Sequence, residues 1–398
     1  MTDSLGQSQV IPYLIGLRKK GHQITILSTE KSDNFKAKKE QIHNTLEENS
    51  IDWKHIFYTK KPPIFSTIKD VKALFSIASS LHHKKAFDII HCRSYISAII
   101  GLKMKKKFST KFIFDMRGFW ADERVDGKIW NLKNPVYKLV YNFFKRKEIQ
   151  FLENADAIIS LTNNASNKIL QWRHIKNQPI PITVIPCCVD TERFNPDNIN
   201  IEQKEKLKQQ LGIAEDDFVI TYLGSIGTWY MLDEMLDFFK QFILKKPKTK
   251  FLFITGEKPE FILTKAREKG IDSQYFIITR TDYTQVPLYL SLSNFSLFFI
   301  LPVFSKSASS PIKQGEIMSM GIPIVCNTSV GDTDFVLKKY DCGVLVNSFN
   351  EKEYHIAIDK ILNTKFDKGT IRNAAKDFYS LEKGIENYNK SYSKVLEI

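Results

Sequence analysis

Cysteine is scarce and odd in number: five, at Cys92, Cys187, Cys188, Cys326 and Cys342, with no Cys-x-x-Cys spacing. This suits a reducing compartment, with the thiols as small core residues, and gives no zinc site. The eight histidines are scattered, and the one adjacent pair, His82-His83, has no partner one helical turn away, so no metal centre is expected. Long apolar runs are missing as well. The longest, around residues 295–301, falls far short of the roughly 20 residues that cross a bilayer. The first ten residues, MTDSLGQSQV, carry neither a basic n-region nor an apolar h-region. No secretory signal is expected from them, and a cytoplasmic location follows. With 17 Gly and 14 Pro and no repeat or low-complexity tract, fibrous and disordered classes drop out.

What is present is a chain of 398 residues, 43% hydrophobic and 26% charged, long enough for two or three domains with real cores. Its net charge of +14 is lopsided: residues 1–200 carry +13 and residues 201–398 only +1. Runs such as Lys105-Lys106-Lys107 and Lys145-Arg146-Lys147 direct the first half toward an anionic partner, a membrane surface or a nucleic acid, or else form a solvated basic face.

Short apolar runs alternate with helical stretches, which predicts parallel sheets covered by helices. Strands are predicted at 23–28, 88–91, 111–115, 157–160 and 183–185. The pattern restarts after a polar stretch at Asn195-Pro196, with strands at 218–223, 250–255, 274–278, 295–300, 322–326 and 343–346. The expected architecture is α/β: two doubly wound, Rossmann-like domains facing a cleft, over residues 1–198 and 199–378. An amphipathic helix at 379–398 is expected to pack back on the first domain. Ligands of such sheets bind beyond the carboxyl ends of the strands, so the loops there are the places to search.

The strongest local pattern is Ser309-Ser310-Pro311-Ile312-Lys313-Gln314-Gly315-Glu316. Serines ahead of a proline read as a helix N-cap with Pro311 near the first position, leaving backbone N–H groups and the helix dipole to face a phosphate. Lys313 adds a charge there, and Glu316 is placed to accept from vicinal hydroxyls such as those of a ribose. The same pattern also fits an ordinary capped helix. In Tyr222-Leu223-Gly224-Ser225-Ile226-Gly227-Thr228, backbone N–H groups and the Ser225 and Thr228 hydroxyls form a second phosphate cradle, or a plain turn. The Asp115-Met116-Arg117-Gly118-Phe119-Trp120-Ala121-Asp122-Glu123-Arg124 segment clusters charge and aromatics directly after a buried strand, which belongs at a site's rim rather than in a core. It offers Arg117 for diphosphate or acceptor, and Asp122 and Glu123 for the acceptor; a salt-bridged loop is the alternative.

The motif SPxKxxExMxxGxP followed by a strand resembles the nucleotide-sugar signature of the family 4 glycosyltransferases, two-domain enzymes of the GT-B type. The resemblance extends over GLRKKGHQITILS, DIIHCRS, FDMRGFWADER, ADAIISLT, VIPCCVDTERF and YLGSIGTWY, nearly the whole chain. It implies that Glu316 is the second member of the family's Glu-x7-Glu pair and binds the donor ribose. The first member falls at Ala308. It also implies an Arg and a Lys in the loop that here holds Ser225 and Thr228. Leu5-Gly6-Gln7-Ser8 resembles the family's glycine-bearing first loop, which approaches donor phosphate, yet no apolar segment precedes it, so the first strand of the sheet is expected to be absent. His91 stands where relatives carry His-x-His near the donor sugar, and Arg93 replaces the second histidine.

These readings together assign His91, Arg117 and Lys313 to catalysis. Gly6, Gly224, Ser225, Thr228, Ser309, Ser310, Lys313 and Glu316 fall to donor binding, and Arg93, Asp122 and Glu123 to the acceptor side. The resemblance implies transfer of a sugar from a nucleotide diphosphate-sugar to a hydroxyl acceptor, with retention and no obligatory metal or other cofactor. Such chemistry fits polysaccharide or lipid-linked oligosaccharide assembly, with docking on the inner face of an anionic membrane. A nucleotide-sugar epimerase of the same fold, or a non-enzymatic nucleic-acid binder, are the alternatives. No nucleic-acid motif supports the last, so no nucleic-acid partner is expected.

Overall fold

The computed structural model describes residues 1–62, 64–173, 175–176 and 180–397. The chain forms two units, residues 1–186 with 381–398, and residues 187–380.

In the first unit Asp3 caps α1 (Ser4–Gln9), its carboxylate accepting the Gly6 N–H at 2.6 Å. Then come α2 (Ile11–Lys19), β1 (Thr25–Glu30), α3 (Ser32–Glu48) and β2 (Asp52–Phe57). They are followed by α4 (Phe65–Lys85), β3 (Ile89–Arg93), α5 (Ser94–Phe108), β4 (Lys111–Asp115), α6 (Trp120–Asp126), α7 (Pro135–Asn154), β5 (Ala157–Ser160), α8 (Asn163–Leu170) and β6 (Ile182–Val184). All pairings are parallel. β1 and β2 form one sheet, and β3-β4-β5-β6 form another in that order. Phe112, Ile113, Phe114, Ile158 and Ile159 are wholly buried, as expected of strands covered on both faces. Among the described residues no strand precedes α1, and β1–β2 stay unbonded to β3–β6. The stretch read as a glycine-bearing loop is a correction: Leu5 to Ser8 are helical within α1, and the Gly6 N–H is taken by Asp3.

The second unit opens ahead of the polar stretch at Asn195, because residues 187–194 already belong to it. Val189 bridges Ser380, and Phe194 is fully buried in its core with its carbonyl accepting from Arg372 at 2.8 Å. Its elements are α9 (Ile201–Gln210), β7 (Phe218–Leu223), α10 (Leu232–Lys245), β8 (Thr249–Ile254), α11 (Pro259–Glu268), β9 (Phe276–Thr279), α12 (Val286–Leu290), β10 (Phe295–Phe298), α13 (Ile312–Ser319), β11 (Ile324–Asn327), α14 (Thr333–Tyr340), β12 (Gly343–Val346), α15 (Glu351–Asn363) and α16 (Lys368–Tyr379). Six parallel strands run in the order β12-β11-β10-β7-β8-β9. The order reverses between β7 and β10, which makes the carboxyl ends of these two strands the switch point where such sheets bind ligands.

The last helix, α17 (Leu381–Leu396), belongs to the first unit. Tyr388 meets Tyr13 edge-on at 5.4 Å, and Asn389 bonds His22 at 2.8 Å.

Candidate active site

At the end of β7 the chain turns through Gly224, whose φ of +105° is a left-handed conformation that side chains resist. A Cβ there would stand 3.3 Å from the Lys313 ammonium. The turn is held by the Tyr222 hydroxyl donating to the Ser225 carbonyl at 2.6 Å. Residues 229–231 then run back against the end of β10. Tyr230 bridges Ile300, Leu301 N–H donates to the Trp229 carbonyl at 2.9 Å, and Met231 N–H to that of Phe299 at 3.0 Å. This pairing fixes two neighbouring aromatic rings at the switch point.

Each of those rings carries a lysine. Lys306, in a 3-10 turn over Phe304–Ala308, is 5% exposed with its ammonium 3.7 Å from the Trp229 ring centre. Lys313, in the first turn of α13, is 7% exposed with its ammonium 3.6 Å from Tyr230 and 4.1 Å from Tyr222. The Lys313 ammonium has no hydrogen-bond partner. Burial pushes its pKa well below the ordinary lysine value, and the nearby Glu316 carboxylate opposes that only in part. A cation over an aromatic ring gains about 0.5–2 kcal/mol, whereas burying an ammonium costs several kcal/mol. The rings leave a deficit that a bound anion would meet.

One turn along α13, the buried Glu316 accepts from the Tyr283 hydroxyl at 2.8 Å. Burial lifts its pKa to about 7, against that hydrogen bond and the charges of Lys313 and Arg193. Arg193 stacks its guanidinium 5.4 Å from the Tyr283 ring centre. Gly315, between the lysine and the carboxylate, is tightly packed: a Cβ there would stand 3.0–3.1 Å from Tyr379 and Val189, which would have to give by a few tenths of an ångström.

The helix start differs from the sequence reading. Pro311 itself is the N-cap residue, and no side chain caps α13. The Ser310 hydroxyl accepts from the Cys187 N–H at 3.1 Å instead, and the Ser309 N–H donates to the Lys306 carbonyl at 3.1 Å. The first-turn N–H groups of α13 thus lack a side-chain partner, as a phosphate site requires. Ala308 is buried and brings no charge to the place of the family's first glutamate. Ser225, Gly227 and Thr228 are exposed on the loop. Sequence reasoning missed Lys306, Trp229, Tyr230, Tyr283 and Arg193. The last sits within the VIPCCVDTERF segment already noted, and the lysine's only signal was its place shortly after a strand end.

In the first unit, His91, Arg93 and Arg117 converge on a residue not singled out beforehand, the fully buried Asp115 at the end of β4. His91 Nε2 lies 3.5 Å and an Arg93 nitrogen 3.9 Å from Asp115 Oδ2, with an Arg117 nitrogen 3.7 Å from Oδ1. The Tyr388 hydroxyl donates to Oδ2 at 3.0 Å. Burial works to raise the Asp115 pKa, but Arg117, the His91 hydrogen bond and Arg93 hold it at about 2. His91 Nδ1 meets the Tyr392 hydroxyl at 2.6 Å, and Arg93 donates to the Gln9 carbonyl at 3.1 Å. Arg117 has φ +58°, a backbone state that costs a non-glycine residue on the order of 1–3 kcal/mol. Asp122 stands apart. It accepts from Tyr141 and Lys145, both at 2.8 Å, in a network that continues through Lys145 to the buried Glu148 and Tyr95. Glu123 is half-buried on α6. No cluster of metal-ligating side chains occurs among the described residues.

Residues 10–193 match the family model described as Glycosyltransferase Family 4, and residues 203–378 that of Glycosyl transferases group 1. The chain is 24% identical over 340 residues to an Escherichia coli UDP-Gal:alpha-D-GlcNAc-diphosphoundecaprenol alpha-1,3-galactosyltransferase, covering 82% of this chain and 80% of the relative. It is 23% identical over 255 residues to alpha-monoglucosyldiacylglycerol synthase of Acholeplasma laidlawii, covering 61% and 59%. Among solved structures, Anabaena HepE in complex with UDP and glucose superposes with a TM-score of 0.66 at 14% identity, over 94% of this chain and all of the other. The chain belongs to glycosyltransferase family 4 and is a hexosyltransferase of the GT-B fold.

Proposed function

We propose that the second unit binds a nucleotide diphosphate-sugar at the β7–β10 switch point and that its sugar passes, with retention, to a hydroxyl of a lipid-linked glycan on the cytoplasmic side of a membrane. The observation that carries the donor reading is the unpartnered, buried Lys313 ammonium three residues ahead of Glu316. In this reading Glu316 accepts from the ribose hydroxyls, with Tyr283 and Arg193 holding it in place. The uncapped start of α13, Lys313 and Lys306 receive the diphosphate. Lys306 then supplies the second cation that the Ser225–Thr228 loop lacks.

The transferred sugar exchanges its bond to the diphosphate oxygen for one to the acceptor oxygen, and the acceptor's proton leaves with the diphosphate. Charge grows on the departing diphosphate, and fixed cations and N–H groups stabilise it without reorganising. This reading calls for no divalent metal. The acceptor side falls to the first unit, where Asp115 holds His91, Arg93 and Arg117 in one group. The Escherichia coli relative's name, a transferase acting on a diphosphoundecaprenol-linked sugar, supports a lipid-linked acceptor.

The test is incubation with UDP-, GDP- and ADP-sugars and a polyprenyl-diphosphate-linked sugar, with and without chelator, followed by NMR of the product. A new glycosidic bond of the donor's anomeric configuration is expected. Epimerised donor and no transfer would replace this reading by the epimerase one.

A further inference from the structure

Helix α7 turns one face inward, burying Phe144, Glu148, Phe151 and Leu152. Its opposite face has no cover among the described residues. Val136 is 51%, Leu139 73% and Phe143 45% exposed, a spacing of three and four residues that sets them in one stripe. Arg146 continues the stripe by one more step, and Lys138 flanks it; both are exposed. Ile129, ahead of the helix, is exposed as well.

The charge around the stripe is of one sign. From Gly127 to Lys147 the chain has six basic residues, Lys128, Lys133, Lys138, Lys145, Arg146 and Lys147, and no Asp or Glu. Lys145 is engaged with Asp122 and Glu148, but Lys128, Lys133, Lys138 and Arg146 point to solvent. The lysines at the end of α5 extend the patch: beyond the effect of its own burial, Lys147 has its pKa lowered by Lys106 and Lys103.

Two features bear on what covers this face. Exposed Leu and Phe side chains need an apolar phase, and a row of unneutralised cations needs an anionic one. A second copy packed by the same face would bring the same positive charge against it and fails on electrostatics. A bilayer carrying anionic lipid meets both needs, with the apolar side chains entering at headgroup depth and the cations at the phosphates.

We infer that the outer face of α7 docks on an anionic lipid surface. Leu139 and Phe143 are the inserting side chains, and Lys133, Lys138 and Arg146 the headgroup contacts. The inference stands on this surface alone and does not need the donor reading.

Co-sedimentation of the full chain with vesicles of phosphatidylcholine alone, and of phosphatidylcholine mixed with phosphatidylglycerol, at low and high salt, tests it. The wild type should bind the mixed vesicles only and release as salt shortens the screening length, which is already about 8 Å at physiological ionic strength. Leu139→Glu/Phe143→Glu, and separately Lys138→Gln/Arg146→Gln, should each lower partitioning about tenfold or more. Melting temperature and UDP binding should stay at their wild-type values, because all four side chains are exposed. Should the glutamate pair fail to fold, the glutamine pair carries the same test. Equal binding to neutral vesicles, wild-type binding by both double variants, or a dimer in light scattering that Leu139→Glu dissociates would overturn the inference.

Discussion

The ammonium of Lys313 stands 3.6 Å over the ring of Tyr230, buried and without a hydrogen-bond partner. The ring of Trp229, next to Tyr230 in the chain, lies 3.7 Å from the Lys306 ammonium. Two cations thereby sit on two adjacent rings at the carboxyl edge of a parallel sheet. The aromatic face keeps the Lys313 ammonium positioned while leaving its N–H donors unspent, which a hydrogen-bonded carboxylate would not.

In the proposed donor site Lys306 is the second cation on the diphosphate. Lys306→Met keeps the stem on Trp229 and removes the charge. Losing a charged hydrogen bond to a phosphate costs roughly 1.5–3 kcal/mol, so nucleotide affinity should fall about tenfold or more. Calorimetric titration measures that loss, beside a thermal melt that verifies the variant is folded.

Glu316 predicts a pH dependence. Its folded pKa of about 7 lies above its ordinary value of 4.5, so the folded state holds the proton more tightly than the unfolded one. Its contribution, about 3 kcal/mol, is fully present below pH 4.5 and is lost as pH rises through 7. Urea melts of the ligand-free protein should show stability declining across that window, and Glu316→Gln should remove the slope. Nucleotide affinity should weaken as rising pH takes the proton from Lys313, whose pKa burial pushes well below the ordinary lysine value.

Asp115 has the opposite sign. Held at about 2 against an ordinary 3.8, it adds roughly 2 kcal/mol above pH 3.8, lost as pH falls toward 2. Asp115→Asn leaves Arg93, Arg117 and His91 around an uncharged side chain and should cost about 3–5 kcal/mol at neutral pH. Denaturant melts at neutral and acid pH would show a large loss at the first and a flattened slope toward the second.

How legible the molecule is from its sequence varies by element for physical reasons. Residues 111–115, 157–160, 218–223 and 343–346 form strands with the predicted bounds, because continuous apolar runs between turns have few other uses. Strand β2 escapes notice: its Trp53, His55 and Phe57 alternate with Asp52 and Lys54, and these aromatics pack on Phe35 of α3, a contact far away in sequence. Lys313 and Glu316 are readable from local spacing. Lys306 is not, since Phe-Ser-Lys-Ser-Ala reads as a polar loop until the pairing of residues 229–231 with 299–301 brings a tryptophan face to it. The serine cap failed because the serine ahead of Pro311 turns to Cys187, a partner over a hundred positions away. Gly6 reads as a loop residue only until Asp3 is seen to cap a helix through it.

In the proposed donor site the buried Lys313 ammonium awaits a diphosphate, and calorimetric titration of UDP, GDP and ADP into the wild type and Lys313→Met is the decisive measurement. One of the three nucleotides should bind the wild type at a single site, with affinity at least about tenfold weaker in the variant while the variant's melting temperature without ligand holds or rises, because an uncompensated buried cation has been removed. An unchanged dissociation constant in Lys313→Met, or no binding of any of the three to the wild type, would contradict the account.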